Sequence, residues 1–588
     1  MNYNLNDLQA NAPKSSTWSS LGKLLQLISH ERKNLLMALG AILVNSTLNL
    51  MGPLIIGHTI DRYIFVAHKD YHGVLVNCAV LLSMYLVALL SSYWQTMLMG
   101  GVGQRMLFTL RNAVFNKLQL LPVGFFNQNK AGDLISRINN DTDKINQFFS
   151  QSLMQFIGSI VTMLGAGIFL LSINIKLGAA TLVPAVIILI FTSLTSPWVK
   201  RKNAKNLKSV GGMSGEIQES LNNFKVIIAF NRRDYFRKRF DEANQQNYNT
   251  AIGAGIANNS YVPVFGMFAS FAQLIVLAYG IYLISTGDFM IGLLVSYLSY
   301  ANQFYSPLRQ LAALWTNFQT AMAGWDRVAN ILALETDLVT VASAATDASA
   351  SLLEFRNVHF SYDESREILH NISFKLERGK TYALVGPTGG GKTTTASLIA
   401  RLYDASKGKV LLGGKDIRTY DPVERTKKIG FILQEPFLFT GTVRENILYG
   451  NEQYVDYSNE QLEEVIHDAN LETLLAIFES GLETKVLSSG DSISLGQKQL
   501  IAFMRAVLRN PELLILDEAT ANIDTITEKL LSDILDKLPA ETTRVIIAHR
   551  LNTIENADEI FFVNSGEVVL AGSFDHAMEM LLQGKRVS

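Results

Sequence analysis

The run Gly386-Pro-Thr-Gly-Gly-Gly391-Lys392-Thr393 sets four glycines, a lysine and a hydroxyl at the spacing GxxxxGK[ST]. The chemistry of that pattern is phosphate binding. Glycines let backbone N–H groups close around phosphate oxygens, and a following helix adds its positive N-terminus. Tyr382–Val385 reads as the apolar strand before the loop, and the residues from Lys392 onward as the helix after it. Gly386, Thr388, Gly389, Gly390, Gly391 and Thr394 are expected to line a nucleotide, with Lys392 on the β- and γ-phosphates and Thr393 ligating Mg²⁺. A second strand, in ELLILDEAT at 512–520, delivers Asp517 and Glu518 to its C-terminal edge, as a buried parallel strand does. Asp517 suits the Mg²⁺ shell and Glu518 suits polarising an attacking water. A third strand, RVIIAHR at 544–550, brings His549 to the same edge, where a γ-phosphate sensor is needed. The expected ligands are ATP and Mg²⁺, and the expected catalytic residues are Glu518, His549 and Lys392.

A chain of 588 residues exceeds one ordinary core, so the site belongs to one domain of at least two. Apolar residues make up 48% and charged residues 18%, a lean that asks for a membrane. The apolar runs lie in 35–335, whereas 353–588 is mixed in character. A net charge of −1 supplies no field for nucleic acid, and the single cysteine, Cys78, excludes an intrachain disulfide. Residues 1–34 are polar and contain no apolar core of a signal peptide, so no cleaved leader is expected.

Six segments are long enough to cross a bilayer, which takes about 20 residues each. They are 35–60, 74–100, 153–173, 176–197, 260–285 and 289–312. Asn45, Asn49 and Pro53 interrupt the first, and Asn302 and Gln303 the last; helix–helix hydrogen bonding is the simpler reading of these groups, a substrate path the other. No charged residue sits near the centre of any span, which argues against a proton-coupled carrier and suits an apolar or amphipathic cargo. Lys and Arg gather before the first span and in 101–150 and 198–258, while the gaps 61–73, 173–176 and 285–289 are nearly uncharged. Both termini and the two long connections are therefore expected on the cytoplasmic side. Each connection reads as a helical arm reaching roughly 30 Å from the bilayer. Their turn-like centres, 121–138 and 211–227, are placed to touch another domain, with a solvated hairpin as the alternative. The small, polar stretch 335–352 reads as a linker between domains 1–334 and 353–588.

These pieces, in this order, resemble the ATP-binding-cassette (ABC) transporter family, and the resemblance covers almost the whole chain. FSY at 360–362 matches the family's aromatic A-loop and ILQEPFLF at 432–439 its Q-loop. TVRENILYGN at 442–451 is typical of the exporter branch, SISLGQKQ at 492–499 looks like the signature LSGGQ, and ANID at 521–524 like the D-loop. The resemblance implies an all-α six-helix transmembrane domain plus an α/β P-loop nucleotide-binding domain, with coupling helices at the arm tips. It implies that Tyr362 stacks on adenine, that Gln434 contacts Mg²⁺ and the water and hinges toward the arms, and that Asp524 belongs to the D-loop. In this family two nucleotide domains pack head to tail, so Ser494, Gly496 and Gln497 would meet an ATP held by a partner chain. Behind them Leu500, Phe503, Met504 and Val507 form an apolar helix face.

Leu495 stands where the family pattern has glycine, and its bulk restricts close approach to a phosphate. An intact Glu518 and His549 beside an altered signature resemble one subunit of bacterial heterodimeric exporters. The expectation is an obligate dimer of half-transporters, a heterodimer before a homodimer, in the bacterial inner membrane with both termini and the nucleotide domain cytoplasmic. The expected function is ATP-driven export, or leaflet flipping, of small hydrophobic or amphipathic compounds. An importer on the exporter scaffold and a lipid- or peptide-specific transporter are the alternatives, ahead of a non-transport role.

Overall fold

The computed structural model describes residues 3–5, 7, 22, 31–65, 70–335, 338, 340–341, 351–363, 366–487, 493–517, 525–547 and 557–583. The chain divides into two compact units. One holds Asn11–Lys117 and Gly132–Leu332; the other holds Met1–Ala10, Leu118–Ala131 and Ala333–Ser588.

The first unit is helical. Its chain runs through α1 (Arg32–Ile64) and α2 (Tyr71–Gln119), passes into the other unit at the short α3 (Val123–Gln128), and returns as α4 (Ala131–Ile173) and α5 (Ile175–Asn222). The short α6 (Phe224–Ala229), α7 (Arg233–Asn259), α8 (Tyr261–Ser285) and α9 (Ile291–Leu332) complete it. Among the described residues five helical stretches are long and apolar enough to cross a membrane: α1, α2, α4, α5 and the α7–α8 run. The sixth expected segment, 289–312, forms α9 but is not one of the five; Ser296, Ser299, Asn302, Gln303 and Ser306 dilute its apolar run. Spans and arms are continuous, as the 49-residue α2 and 48-residue α5 show; the short α3 falls within the expected centre 121–138, whereas most of 211–227 continues α5 and α6 overlaps only its end.

Polar groups join α1 to α9. Pro53 inside α1 has no N–H to offer the carbonyl four residues back, and its ring loosens that turn. Gln303 Nε2 donates to that carbonyl, Asn49 O, at 3.2 Å, and Tyr300 OH donates to the next, Leu50 O, at 2.7 Å. Ser296 Oγ donates to Pro53 O at 2.6 Å. One turn further, Gly57 and Gly292 let the backbones touch: a Cβ on either would collide with the other's carbonyl region. Asp61 then caps α9, its two carboxylate oxygens accepting from Gly292 N at 2.6 Å and Leu293 N at 3.0 Å. Pro184 in α5 repeats the device, since Tyr305 OH donates to Thr181 O at 2.6 Å. At the C-terminus of α4, where carbonyls lack helical partners, Tyr297 OH donates to Leu170 O at 2.7 Å. Of the expected polar side chains, Gln303 thus bonds helix to helix, Asn49 Nδ2 donates to Asn45 O and Oδ1 within α1, and Asn302 is exposed. In the arms, two π-turns in α4, Arg137–Asp141 and Phe148–Ser152, flank the buried Asp141, which takes a two-toothed contact from Arg327 of α9.

The second unit is α/β. A six-stranded sheet has the order β12 (Glu567–Leu570), β11 (Glu559–Asn564), β3 (Thr381–Val385), β10 (Thr543–Ile547), β9 (Leu513–Asp517), β6 (Ile429–Ile432). All neighbours are parallel except β11 and β12. β3 and β9 are buried at every residue, which is why both read as unbroken apolar runs. A second, antiparallel sheet has the order β2 (Leu369–Leu376), β1 (Leu353–Phe360), β4 (Lys407–Leu412), β5 (Lys415–Asp416), and the short β7 (Gly441–Thr442) and β8 (Lys485–Val486) pair antiparallel. Helices α10 (Lys392–Ile399), α11 (Pro422–Lys428), α12 (Val443–Leu448), α13 (Asn459–Asp468), α14 (Leu495–Val507) and α15 (Thr525–Asp536) complete the unit as used below.

Candidate nucleotide site

The phosphate loop joins β3 to α10, as the sequence suggests. Gly391 precedes α10 at φ +116°, and a Cβ there would lie 2.7 Å from Leu369 Cδ2. At Gly386 a Cβ would collide with the Val563 carbonyl of β11, so only glycine fits against that strand. The turn after β11 braces the loop from outside: Gly566 N donates to Gly390 O at 3.0 Å, and His370 N to Gly566 O at 2.8 Å. Lys392 is 5% exposed, and its Nζ donates to Gly386 O at 2.8 Å and Pro387 O at 3.1 Å. The loop thus presents an ammonium group and a helix N-terminus from one turn of chain.

Sheet register brings the acids to this loop. Asp517 is opposite Ile547, and Ile547 opposite Leu384, so β9, β10 and β3 end side by side at one carboxyl edge. Thr393 Oγ1 donates to Asp517 Oδ1 at 3.3 Å, and Asp517 is 2% exposed. A hydroxyl and a carboxylate held together are hard oxygen donors of the kind Mg²⁺ takes. Gln434 follows β6, whose Ile432 is paired with Leu516, and is exposed at the same edge. Glu518, Asp524 and His549 lie outside the described residues; the strands before Glu518 and His549 end at Asp517 and Ile547.

On the antiparallel sheet's side, Tyr362 follows β1. Its hydroxyl shares a 3.0 Å hydrogen bond with Thr394 Oγ1 of the phosphate loop's helix, and its ring stands edge-on to Phe360 and Tyr403. Tyr403 is a site neighbour that sequence reasoning missed, because it carries no motif of its own. Thr388 and Gly389 lie in the exposed crown of the loop.

Ser494 is the N-cap of α14: its Oγ accepts from Gln497 N at 3.1 Å, and Gln497 Oε1 accepts from Ser494 N at 2.9 Å. This reciprocal cap explains the polar spacing at the helix start. Gly496 is buried, whereas Leu495, the first helical residue, is 43% exposed. Leu500, Phe503, Met504 and Val507 are all buried in the core behind it. Near the other end of the helix Arg505 donates to Asn446 O at 2.8 Å, Asn446 Oδ1 at 3.1 Å and Phe437 O at 3.2 Å, and lies over the Tyr449 ring at 5.4 Å. Burial lowers its pKa from the ordinary arginine value. Asn446, fully buried in α12, pairs in turn with the backbone N and O of Phe439. The stretch after Gln434 and the signature helix are thereby tied through one arginine, again without a sequence signal. A cavity of about 260 Å³ opens beside it, lined by Leu433, Phe437, Phe439, Tyr449, Arg505 and Arg509.

The family model for the ABC transporter transmembrane region matches residues 35–308, and that for the ABC transporter matches 369–521. The chain is 33% identical over 571 residues to the uncharacterized ABC transporter ATP-binding protein YfiC of Bacillus subtilis (strain 168), across 96% of this chain and 93% of the relative. A fatty acid ABC transporter ATP-binding/permease protein of Mycobacterium bovis is 32% identical over 504 residues, 86% of this chain and 79% of its own. A multidrug resistance ABC transporter ATP-binding and permease protein of Lactococcus lactis subsp. cremoris is 31% identical over 500 residues, 84% and 83% respectively.

Proposed function

The chain belongs to the ABC transporter family as an exporter-type half-transporter, and from that premise we propose that it drives small hydrophobic or amphipathic compounds out across, or between the leaflets of, a bacterial inner membrane. Its ATPase activity is coupled to transport. The observation that carries the proposal is Thr393 against Asp517 in a chain whose other unit offers five apolar membrane-length helices. The fatty acid and multidrug names among its relatives agree with an apolar or amphipathic cargo.

In this reading 1–334 is the membrane domain with α9 as its sixth span, 335–352 the linker and 353–588 the nucleotide domain, cytoplasmic with both termini. Tyr362 stacks on adenine, and Gly386, Thr388, Gly389, Gly390, Gly391 and Thr394 line the phosphates. Lys392 turns from the loop carbonyls to the β- and γ-phosphates, while Thr393, Asp517 and Gln434 hold Mg²⁺. That ion, when bound, neutralises charge on the phosphates. Glu518 orients the attacking water and His549 holds the γ-phosphate. Ser494, Gly496 and Gln497 serve the partner's ATP, with Asp524 in the D-loop between the sites. Closure of two such domains moves the arms, and hydrolysis resets them. The cavity beside Arg505, which joins aromatic rings to two arginines, is the surface suited to an arm tip of the partner.

The dimer is asymmetric. This chain supplies the working Glu518 and an altered signature, and a second half-transporter supplies the regular signature. Two measurements test the reading. Glu518→Gln should retain ATP in a closed state with hydrolysis lost, and undiminished turnover would remove Glu518 from its role. The chain reconstituted alone should hydrolyse ATP far below the rate of the paired complex; full coupled activity from it alone would reject the asymmetric dimer.

A further inference from the structure

Terminal residues are usually poorly ordered unless something ties them down. Here Tyr3 and Leu5 are 3% and 2% exposed. Asn129, just after α3, holds this stretch as a neighbouring peptide group would. Its Oδ1 accepts from Leu5 N at 3.0 Å, and its Nδ2 donates to Tyr3 O at 2.9 Å. Gln128 Oε1 accepts from Tyr3 N at 2.6 Å, and the Tyr3 ring meets Phe125 edge-on at 6.4 Å. Residues 3–5 form a strap across α3.

The strapped helix reaches toward the nucleotide site through a hydrogen bond. Asn127 Nδ2 donates to Tyr403 OH at 2.7 Å. Tyr403 stands edge-on to Tyr362 at 5.1 Å and to Phe360 at 5.5 Å, and Tyr362 bonds Thr394. A cavity of about 360 Å³, lined by Tyr3, Gln128, Tyr362, Tyr403 and Arg418 among others, leaves these rings room to turn. Room to turn makes a hold on Tyr403 consequential. A ring fixed before its ligand arrives loses less freedom on binding, and the ligand binds more tightly.

We propose that the N-terminal strap, acting through Asn127 and Tyr403, positions the Tyr362 ring to receive the base of ATP. Asn127, Asn129 and Tyr403 are then positioning residues for nucleotide capture. The proposal rests on reading Tyr362 as the adenine-stacking ring.

The test uses the full-length chain in nanodiscs and compares equilibrium binding of ATP with that of inorganic triphosphate, which fills a phosphate loop but has no base. Asn127→Ala, Asn129→Asp and Tyr403→Phe should each weaken ATP about five-fold, the scale of one neutral hydrogen bond, and leave triphosphate unchanged. Asn127→Ala and Tyr403→Phe remove the two halves of one bond, so the double variant should bind ATP no more weakly than either alone. Tyr362→Ala is the reference and should lose ATP selectively by a larger factor. If Tyr362→Ala does so while Asn127→Ala binds ATP normally, the strap proposal is overturned and the adenine reading stands. If Tyr362→Ala binds ATP normally, the adenine reading falls and the proposal falls with it. Equal loss of ATP and triphosphate in the strap variants would show general damage and likewise overturn positioning.

Discussion

Tyr300→Phe isolates the effect of a proline kink on its neighbours. Pro53 frees Asn49 O and loosens the turn holding Leu50 O, and Tyr300 OH donates to the latter at 2.7 Å. In a bilayer or detergent core no water replaces that hydroxyl. Inter-helix hydrogen bonds in such surroundings contribute about 0.6 kcal/mol on average and up to ~1.7. The buried position of Tyr300, fully enclosed against α1, argues for the upper half of that range, or about 1 kcal/mol. For a unit this large the expected fall in Tm is roughly 2 °C. Tyr282→Phe, at an exposed ring of α8, is the control and should not move Tm. The sharper assay is a double-mutant cycle with Pro53→Ala. Restoring the N–H at 53 lets α1 satisfy Asn49 O itself and tightens the turn around Leu50. Tyr300→Phe should then cost almost nothing, a coupling near 1 kcal/mol and beyond the usual additivity scatter of about 0.3–0.5 kcal/mol. If Tyr300→Phe melts like the control, or if the two changes simply add, the idea that α9 compensates the kink is wrong.

Four other outcomes are expected. Gly391→Ala forces a side chain into φ +116° and against Leu369, a strain of about 1–3 kcal/mol, so triphosphate binding should weaken ten- to hundred-fold by calorimetry while the sheet core melts nearly unchanged. On the proposed asymmetric dimer, in which hydrolysis at Glu518 would use the partner's signature, Leu495→Gly should leave ATP turnover of the paired complex within two-fold; a several-fold change would favour a homodimer. Arg505→Met leaves Asn446 O without its donor, at about 1–3 kcal/mol, while water can replace the bond to the exposed Phe437 O; it should keep ATP binding while lowering transport per ATP hydrolysed. Burial alone would raise the Glu512 carboxyl, but Lys428 at 2.5 Å and Arg378 at 2.7 Å hold it below the usual carboxylate range. Its contribution to stability is complete above the unfolded carboxyl's pKa and is lost as pH falls through the depressed folded one. Glu512→Gln should therefore flatten the acid side of the Tm–pH curve below about pH 4.

What the sequence displayed was local in origin. The phosphate loop shows because its glycines, lysine and hydroxyl are consecutive, and its strand and helix adjoin it. The Ser494–Gln497 cap shows for the same reason, and the buried face Leu500, Phe503, Met504, Val507 follows helical spacing. Asp517 reaches Thr393 across 124 positions, yet it too was legible, since a buried parallel strand ending in acids has few places to put them. The joints between elements were not legible. Asp61 caps a helix that starts 230 residues later, Tyr300 meets Leu50 across 250 positions, and Arg505 meets Asn446 across 59. None of these side chains carries a pattern of its own; each acquires its partner from packing. The π-turns around Asp141 are similarly invisible, because they alter helical phase without altering composition.

The arginine joint bears on how binding at one place becomes force at another. The Ser494 cap and the arginine that grips the Phe437–Phe439 stretch lie at the two ends of one 13-residue helix, about 20 Å long at 1.5 Å per residue. A rigid helix clamped to the core by four buried side chains moves as a body, so displacement at Ser494 reaches Arg505 with little loss. Asn446 extends that body, since it pairs with both backbone groups of Phe439 and takes two hydrogen bonds from Arg505. The loop following Gln434 therefore answers to two inputs, the sheet edge through β6 and the signature through α14. A change at either must be accommodated at the apolar rim formed by Phe437, Phe439 and Tyr449, which is the part of this unit best placed to pass it to a docked helix.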